Sequence, residues 1–391
     1  MSSYKRRTSI LTCGLLICFG LAFAAGFGTF LLRRQQERAR RAEQPLGVFW
    51  QAWNFVEETY YGEMPSARAR TYGAIRSALA LLDDPYTIFV EPQTRELERD
   101  QMRGVFGDIG VTVRRDAQSQ VLLSPHPDSP AQRAGVLEGD ILLAVDAQRV
   151  TMETTIEQVQ AWLRGEAGTA VTLTLSRPPT PPFDLSIVRE EIQIPSVTWY
   201  VLDRFPEIGY IHITGFTERT RVEILTATRE LRATGIVSLV LDLRDNYGGL
   251  IEPAVAVADE FLHNGAVMIE QSRSAQERVF QAHNGGVATD LSVVVLVNSG
   301  TASAAEIVAG ALQDHRRAPL IGESTFGKGS VQLIYELSDG SSLHVTSAIW
   351  LTPNRRQIQG QGLTPDIYVP RGDGLQDDQL ERAVEYLRSL K

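Results

Sequence analysis

The chain has 391 residues, 43% of them hydrophobic and 22% charged, an ordinary globular composition with room for about two to three domains and a sizeable core. Its formal charge of −9 is uneven: residues 1–41 hold Lys5, Arg6, Arg7, Arg33, Arg34, Arg38, Arg40 and Arg41 against Glu37 alone, so the body is acidic. That argues against a nucleic-acid partner, which needs Lys and Arg to neutralise phosphates. The two cysteines, Cys13 and Cys18, lie in the N-terminal apolar run, and no two of the six histidines stand at i,i+3 or i,i+4. Body disulfides, thiolate metal sites and a zinc helix are thereby excluded.

Residues 9–32 are almost unbroken apolar sequence between Lys5-Arg6-Arg7 and Arg33-Arg34. About 20 apolar residues suffice to span a bilayer, so an N-terminal transmembrane helix is expected, with the membrane as a partner. A cleaved signal peptide is the rival, because Ala22-Phe23-Ala24 fits an A-x-A site, but the run continues past Ala24. Basic flanks on both sides leave the orientation open. Residues 49–61 and 67–82 have helical periodicity and end at Asp83-Asp84-Pro85-Tyr86, where proline stops a helix.

Residues 104–178 form a module of short strands and turns. Val111-Thr112-Val113 and Val121-Leu122-Leu123 read as strands, and Ser129 to Gly135 as a capped helical turn closed by glycine. Asp140 to Val145 reads as a strand, 156–163 as an amphipathic helix and 170–175 as a closing strand. The order resembles a PDZ domain, with Ser129-Pro130-Ala131 through Ala134-Gly135 and Gly139-Asp140-Ile141-Leu142 as its specific part. Phe106, Gly107, Asp108, Ile109 and Gly110 are then the candidate carboxylate loop, whose amides hold a chain terminus while a peptide adds to the open sheet edge.

Residues 178–183 are proline-dense and read as a linker. Beyond them strands at 208–213, 237–243, 292–298 and 318–321 alternate with helices, the pattern of an α/β layer with a largely parallel sheet. The last helix is expected at 377–390. The expected division is 1–41 (anchor or signal segment), 42–103 (helical region), 104–178 (PDZ domain), 179–370 (α/β core) and 371–391 (C-terminal helix).

Three segments of the core carry chemistry. The strand Val293-Val294-Val295-Leu296-Val297 turns through Asn298-Ser299-Gly300-Thr301-Ala302 into a helix opening at Ser303. A serine there stands at the positive helix end, and the Ala304 amide is placed to donate to a developing oxyanion. Ser303-Ala304-Ala305-Glu306 also fits an S-x-x-E capping box, a purely structural role for the serine. In Leu243-Arg244-Asp245-Asn246-Tyr247-Gly248-Gly249, a second strand-to-helix turn, Gly248 and Gly249 let backbone amides approach a substrate carbonyl. The third segment is Thr325-Phe326-Gly327-Lys328-Gly329-Ser330. Lys328 is the one lysine inside a body that otherwise uses arginine, since only Lys5 and Lys391 accompany it. Arginine cannot serve as a base, whereas a desolvated lysine can take a serine proton. Gln332, four residues on, is a candidate to orient that amine, and Asp314 is a structural residue near the site. The run from Gly322 to Gly329 nearly fits a phosphate-binding loop, but Gly329 stands where a hydroxyl must hold Mg²⁺, and a strand-like run follows instead of a helix.

These segments together, with Asp83-Asp84-Pro85-Tyr86 and the PDZ-like module, resemble the C-terminal processing peptidases, or tail-specific proteases, over nearly the whole body. The resemblance implies a crotonase-like α/β core with an inserted PDZ domain that gates it. It implies Ser303 as nucleophile, Lys328 as base steadied by Gln332, and an oxyanion hole from the Ala304 amide and a glycine amide of Gly248-Gly249. It implies a serine endopeptidase acting on proteins with exposed C-termini, without metal or cofactor. With the anchor, its place is the cell membrane, with the catalytic body outside the cytoplasm. The alternative is an inactive scaffold whose PDZ domain captures protein tails. Pro353-Asn354-Arg355-Arg356 departs from the glycine-bearing turn usual in the family.

Overall fold

The computed structural model describes residues 47–390 apart from 117, 194 and 373–376. The chain divides into two compact units, Met1–Ala74 and Ile75–Lys391. In the first, residues 47–59 form a helix with Phe49, Trp50 and Phe55 exposed.

The expected transmembrane helix is corrected. Among the described residues no helix is long and apolar enough to cross a membrane. Ala67–Ala80 and Thr220–Ala233 have 14 residues each. At 1.5 Å per residue that is about 21 Å, short of a hydrocarbon core of about 30 Å, and both carry arginines. Residues 9–32, on which that expectation rested, lie outside the described residues.

The second unit contains a β-rich module and an α/β core. In the core, strands Phe205–Ile213, Ser238–Asp242, Ser292–Val297, Leu320–Gly322 and Ile367–Tyr368 run parallel in that order, with Val197–Leu202 antiparallel at one edge. A parallel sheet is covered on both faces, so its strands read as continuous apolar runs, and every residue of Ser238–Asp242 is buried. The period of two sorts them. Leu239, Leu241, Val293 and Val295 face helices Thr220–Ala233, Ile251–Asp259 and Ala304–Asp314, while Val240, Val294 and Leu296 face helix Asp378–Ser389. Tyr210, Asp242, Arg244 and Asp377 tie that last helix to the sheet: Arg244 forks onto Asp242 and Asp377, and the Tyr210 hydroxyl donates to Asp242 at 2.6 Å. Burial, then the Asp242 charge, pushes the Tyr210 phenol up.

Of the second, antiparallel sheet the sequence points to one strand, the strand-like run after Gly329, which is Ser330–Glu336. The sheet's hub is Ser342–Leu351, which pairs with Ile88–Val90, Gly265–Ser272 and Ser330–Glu336, while Glu277–Ala282 pairs with Gly265–Ser272.

The module contains the expected strands Val111–Arg115, Val121–Pro125, Asp140–Val145 and Ala170–Arg177. The turn Pro130–Ala134 is capped by Ser129 Oγ and closed by Gly135 at φ 100°, as its sequence signature required. Residues 178–183 are not a linker. They turn the chain into Thr180–Val188, the outer strand of the module's sheet, where proline costs no ladder bond on the solvent side. A two-stranded ribbon, Val105–Asp108 with Glu190–Gln193, closes the module.

Candidate active site

Ser303 stands between strand Ser292–Val297 and helix Ala304–Asp314 with φ 54° and ψ −117°. A non-glycine residue held there is strained by on the order of 1–3 kcal/mol, and a serine nucleophile on a strand-to-helix turn is one known use of such strain. Buried polar groups hold the turn. Thr301 Oγ1 donates to the Leu243 carbonyl at 2.8 Å, the Ala302 amide donates to the Asn246 carbonyl at 2.9 Å, and Asn298 Oδ1 accepts from the amides of Asp245 and Gly300 at 2.9 and 3.0 Å. Every one of these bonds except the last joins the serine turn to the 243–249 turn, so the two move as one body.

Asn246 orders the glycines. It is wholly buried, donates to the Ile213 carbonyl at 2.9 Å, and accepts the Gly248 amide at 2.9 Å. The Gly248 amide is therefore engaged, whereas among the described residues the amides of Gly249 and Ala304 meet no acceptor. A Cβ on Gly248 would come within 2.8 Å of Ser303 Cβ, and one on Gly249 within 2.2 Å of the Phe216 carbonyl oxygen. Both glycines also have positive φ, 106° and 134°. The sequence singled out the pair; the structure separates their roles, with Gly248 giving close approach to the serine and Gly249 a free donor.

Glu306 is a residue the sequence reading left in a capping role. Its carboxylate is wholly buried. Oε2 accepts the Ser303 amide at 2.8 Å and the Lys328 amide at 2.9 Å, while Oε1 accepts Thr325 Oγ1 at 2.5 Å and the Gly327 amide at 2.7 Å. One oxygen thus fixes the backbone of Ser303 and of Lys328, whose nitrogens lie no farther apart than those two bonds allow. The S-x-x-E spacing was the available signal, and half of the capping box is indeed the Ser303–Glu306 bond. The other half of the carboxylate reaches across to a loop that is remote in sequence. Burial raises the Glu306 pKa, against the hydrogen bonds from Thr325, Lys328, Gly327 and Ser303 that favour its charge.

The 323–329 loop is held further by the Phe326 amide on the Thr301 carbonyl at 3.0 Å and by Trp350 Nε1 on the Lys328 carbonyl at 3.0 Å. The Lys328 side chain is half-buried, and burial lowers its pKa below the ordinary lysine value. Among the described residues its amine has no carboxylate within ion-pair distance, and it lies 5.1 Å from the centroid of the Tyr86 ring. Tyr86 is placed by the turn the sequence marked: Asp84 accepts the Tyr86 amide at 3.1 Å and Thr87 Oγ1 at 2.6 Å. Burial alone would raise Asp84, but hydrogen bonds from Thr87, Thr346 and nearby amides hold it low. Gln332 lies on strand Ser330–Glu336 and donates to Ser330 Oγ at 2.8 Å and Thr346 Oγ1 at 3.5 Å; no hydrogen bond joins it to Lys328. Asp314 accepts the Asn354 amide at 2.8 Å and pairs with Arg356, anchoring the 352–356 turn.

Of the expected carboxylate loop, Phe106, Gly107 and Asp108 lie in strand Val105–Asp108, and Ile109-Gly110 leads from it into Val111–Arg115, which pairs with Val121–Pro125 and leaves its other edge open beside helix Ile156–Leu163. The 106–110 segment is braced on both sides. Ile109 is wholly buried, the Gly110 amide donates to Asp108 Oδ1 at 2.8 Å, and Gly107 accepts the Gly165 amide at 3.0 Å. Arg164 lies over the Phe106 ring at 4.5 Å and 3.9 Å from Asp108.

Residues 207–369 match peptidase family S41 and residues 121–177 match a PDZ domain. A carboxy-terminal-processing protease of Bartonella bacilliformis is 38% identical over 80% of this chain and 72% of its own length. A carboxyl-terminal-processing protease of a Picosynechococcus species is 32% identical over 94% of this chain and 91% of its own. Among solved structures, a photosystem II D1 C-terminal processing protease is 35% identical, with a TM-score of 0.49 over 81% of this chain and 86% of that one.

Proposed function

The chain belongs to peptidase family S41, alongside the carboxy-terminal-processing proteases, and from that premise we propose that Ser303 is its nucleophile and Lys328 its general base. It is a serine-type endopeptidase with a PDZ domain. The observation that carries the dyad is the pair of bonds to Glu306 Oε2, which brings the backbones of Ser303 and Lys328 together around a lysine whose charge burial disfavours.

In the proposed reaction, neutral Lys328 takes the proton of Ser303 Oγ as that oxygen attacks the scissile carbonyl. Charge develops on the carbonyl oxygen, and the free amides of Ala304 and Gly249 are the donors that support it. The Lys328 ammonium then protonates the leaving amine. Neutral again, Lys328 draws a proton from a water whose oxygen attacks the acyl ester, and passes that proton to Ser303 Oγ as the ester bond breaks. Gln332 enters as an orienter of Lys328 only if its side chain turns away from Ser330 and Thr346 during turnover.

The same reading gives the PDZ domain the recognition of substrate tails. The open edge of Val111–Arg115 supports strand addition, and residues 106–110 are the candidate end-stop for the tail. Full-length protein, Ser303→Ala, Lys328→Ala and Lys328→Arg are to be compared on an unfolded protein substrate, with and without an apolar C-terminal tail. Cleavage lost in all three variants with folding intact supports the dyad. Lys328→Arg retaining cleavage would sink it, because arginine cannot give up its proton. Equal cleavage of tailed and tailless substrates would remove the PDZ from recognition.

A further inference from the structure

A base that must be neutral to act still spends part of its time protonated, and that charge needs a resting place. The described neighbours of the Lys328 amine offer no carboxylate; they offer the face of Tyr86, 5.1 Å from the amine. An ammonium within about 6 Å of an aromatic centroid is drawn to the negative face of the ring, more strongly where water is excluded. Tyr86 is itself fixed. Its amide is held by Asp84, and the adjoining Ile88–Val90 strand is paired into the antiparallel sheet. The backbone that carries the ring is therefore held in a rigid frame.

We propose that the Tyr86 ring is the seat of the Lys328 ammonium, a positioning residue that fixes the amine in the uncomplexed enzyme and weights it toward its protonated form. The proposal rests on reading Lys328 as the general base. Two influences then oppose one another on that amine: burial disfavours the charge and the ring favours it. Substrate entry can tip the balance by drawing the amine off the ring toward Ser303.

The other titratable and charged groups around the pair are few. His344 lies on the neighbouring strand 3.4 Å from Glu98, and Glu98 lies 3.8 Å from Arg95, both on helix Pro92–Arg103. Arg95 also lies 3.6 Å from Glu336. His344 is pushed down by burial, then by Arg95 and Lys328, and Asp84 is held low by its hydrogen bonds. Glu306 meets the Lys328 backbone and not its amine.

The test follows the amine directly. The full chain has only three lysines, Lys5, Lys328 and Lys391, so Lys ¹³Cε labelling gives few signals, and Lys328→Arg assigns the one of interest. In Tyr86→Phe, which keeps the ring, the Lys328 titration midpoint should stay within about 0.2 pH unit of wild type. In Tyr86→Leu, which keeps an apolar shield but no π face, it should fall by about 0.5–1 pH unit, equivalent to about 0.7–1.4 kcal/mol. Trifluorinated phenylalanine at position 86 preserves shape while weakening the face, and should lower the midpoint even if the leucine variant fails to fold. An unmoved midpoint in Tyr86→Leu or with the fluorinated ring, or an equal shift in Tyr86→Phe and Tyr86→Leu, overturns the proposal. The acid limb of kcat/KM should follow the midpoint. If the midpoint moves and the limb does not, the ring contact stands and Lys328 is not the base.

Discussion

Glu306→Gln tests whether one buried carboxylate assembles the site. The substitution is nearly isosteric, so it changes hydrogen bonding and charge without opening a cavity. The carboxylate accepts four donors, two on each oxygen. An amide presents a single acceptor oxygen; a backbone amide left on its NH₂ side meets it head-on, whereas the Thr325 hydroxyl can turn to accept from it. With the amide oxygen at the Oε2 position the Ser303 and Lys328 bonds survive, Thr325 Oγ1 accepts from the NH₂ and only the Gly327 amide is left facing it; the flipped amide would lose both the Ser303 and Lys328 bonds. One lost bond to a charged acceptor, at about 1.5–3 kcal/mol, and one buried amide left unsatisfied, at about 1–3 kcal/mol, put the gross cost at about 2.5–6 kcal/mol. Relief from burying a charge, the effect that raises the Glu306 pKa, offsets part of it. The expected net result is a loss of about 2–4 kcal/mol in urea unfolding. The Gly327-Lys328 backbone would also loosen, and a misplacement of about 1 Å costs about 10²-fold in rate. Steady-state cleavage of an unfolded protein at neutral pH should show kcat down by about 10²-fold with KM little changed. A folded Glu306→Gln enzyme with kcat within about threefold of wild type would refute the argument.

Three further outcomes are expected. Lys328→Met should be more stable than wild type at neutral pH. Folding depresses the Lys328 pKa, so its charge destabilises the fold below the folded pKa and that penalty fades as pH rises from there toward the ordinary lysine value of 10.5. Urea midpoints at neutral and alkaline pH should therefore converge, and a gap that widens with pH is the wrong sign. Arg244→Gln leaves buried Asp242 and exposed Asp377 without their cation and, chiefly through Asp242, should cost about 3 kcal/mol in urea unfolding; a loss under about 1 kcal/mol would make the cluster incidental. Gly249→Ala combines a φ of 134° with a Cβ 2.2 Å from the Phe216 oxygen, so it should abolish cleavage, reading as loss of kcat or of folded protein in circular dichroism; near-normal turnover would show that the turn can reform without Gly249.

What the sequence disclosed, and what it withheld, follows from how far apart in the chain the deciding contacts lie. The parallel strands could be read because a sheet covered on both faces needs apolar runs, and Ser238–Asp242 and Ser292–Val297 supply them. Most of the antiparallel sheet could not, because Gly265–Ser272 and Ser342–Leu351 mix buried and half-buried positions without a clean period. Residues 178–183 misled because proline composition says nothing about whether a strand lies at a sheet edge. Ser303 and Lys328 stood out by turn position and by the scarcity of lysine, both local or compositional facts. Glu306 also stood out locally, as a cap, and a cap it partly is. Its larger part depends on Thr325, Gly327 and Lys328 arriving from about twenty residues on, carried there by strand Leu320–Gly322 pairing beside Ser292–Val297. The sheet register therefore decides which loop a buried carboxylate can reach, and a chemical role that depends on register is invisible until the fold is known. The same holds for Tyr86: Asp83-Asp84-Pro85-Tyr86 announces a turn, but only the pairing of Ile88–Val90 with Ser342–Leu351, and of Ser330–Glu336 with that same strand, brings the aromatic face over the one lysine of the body.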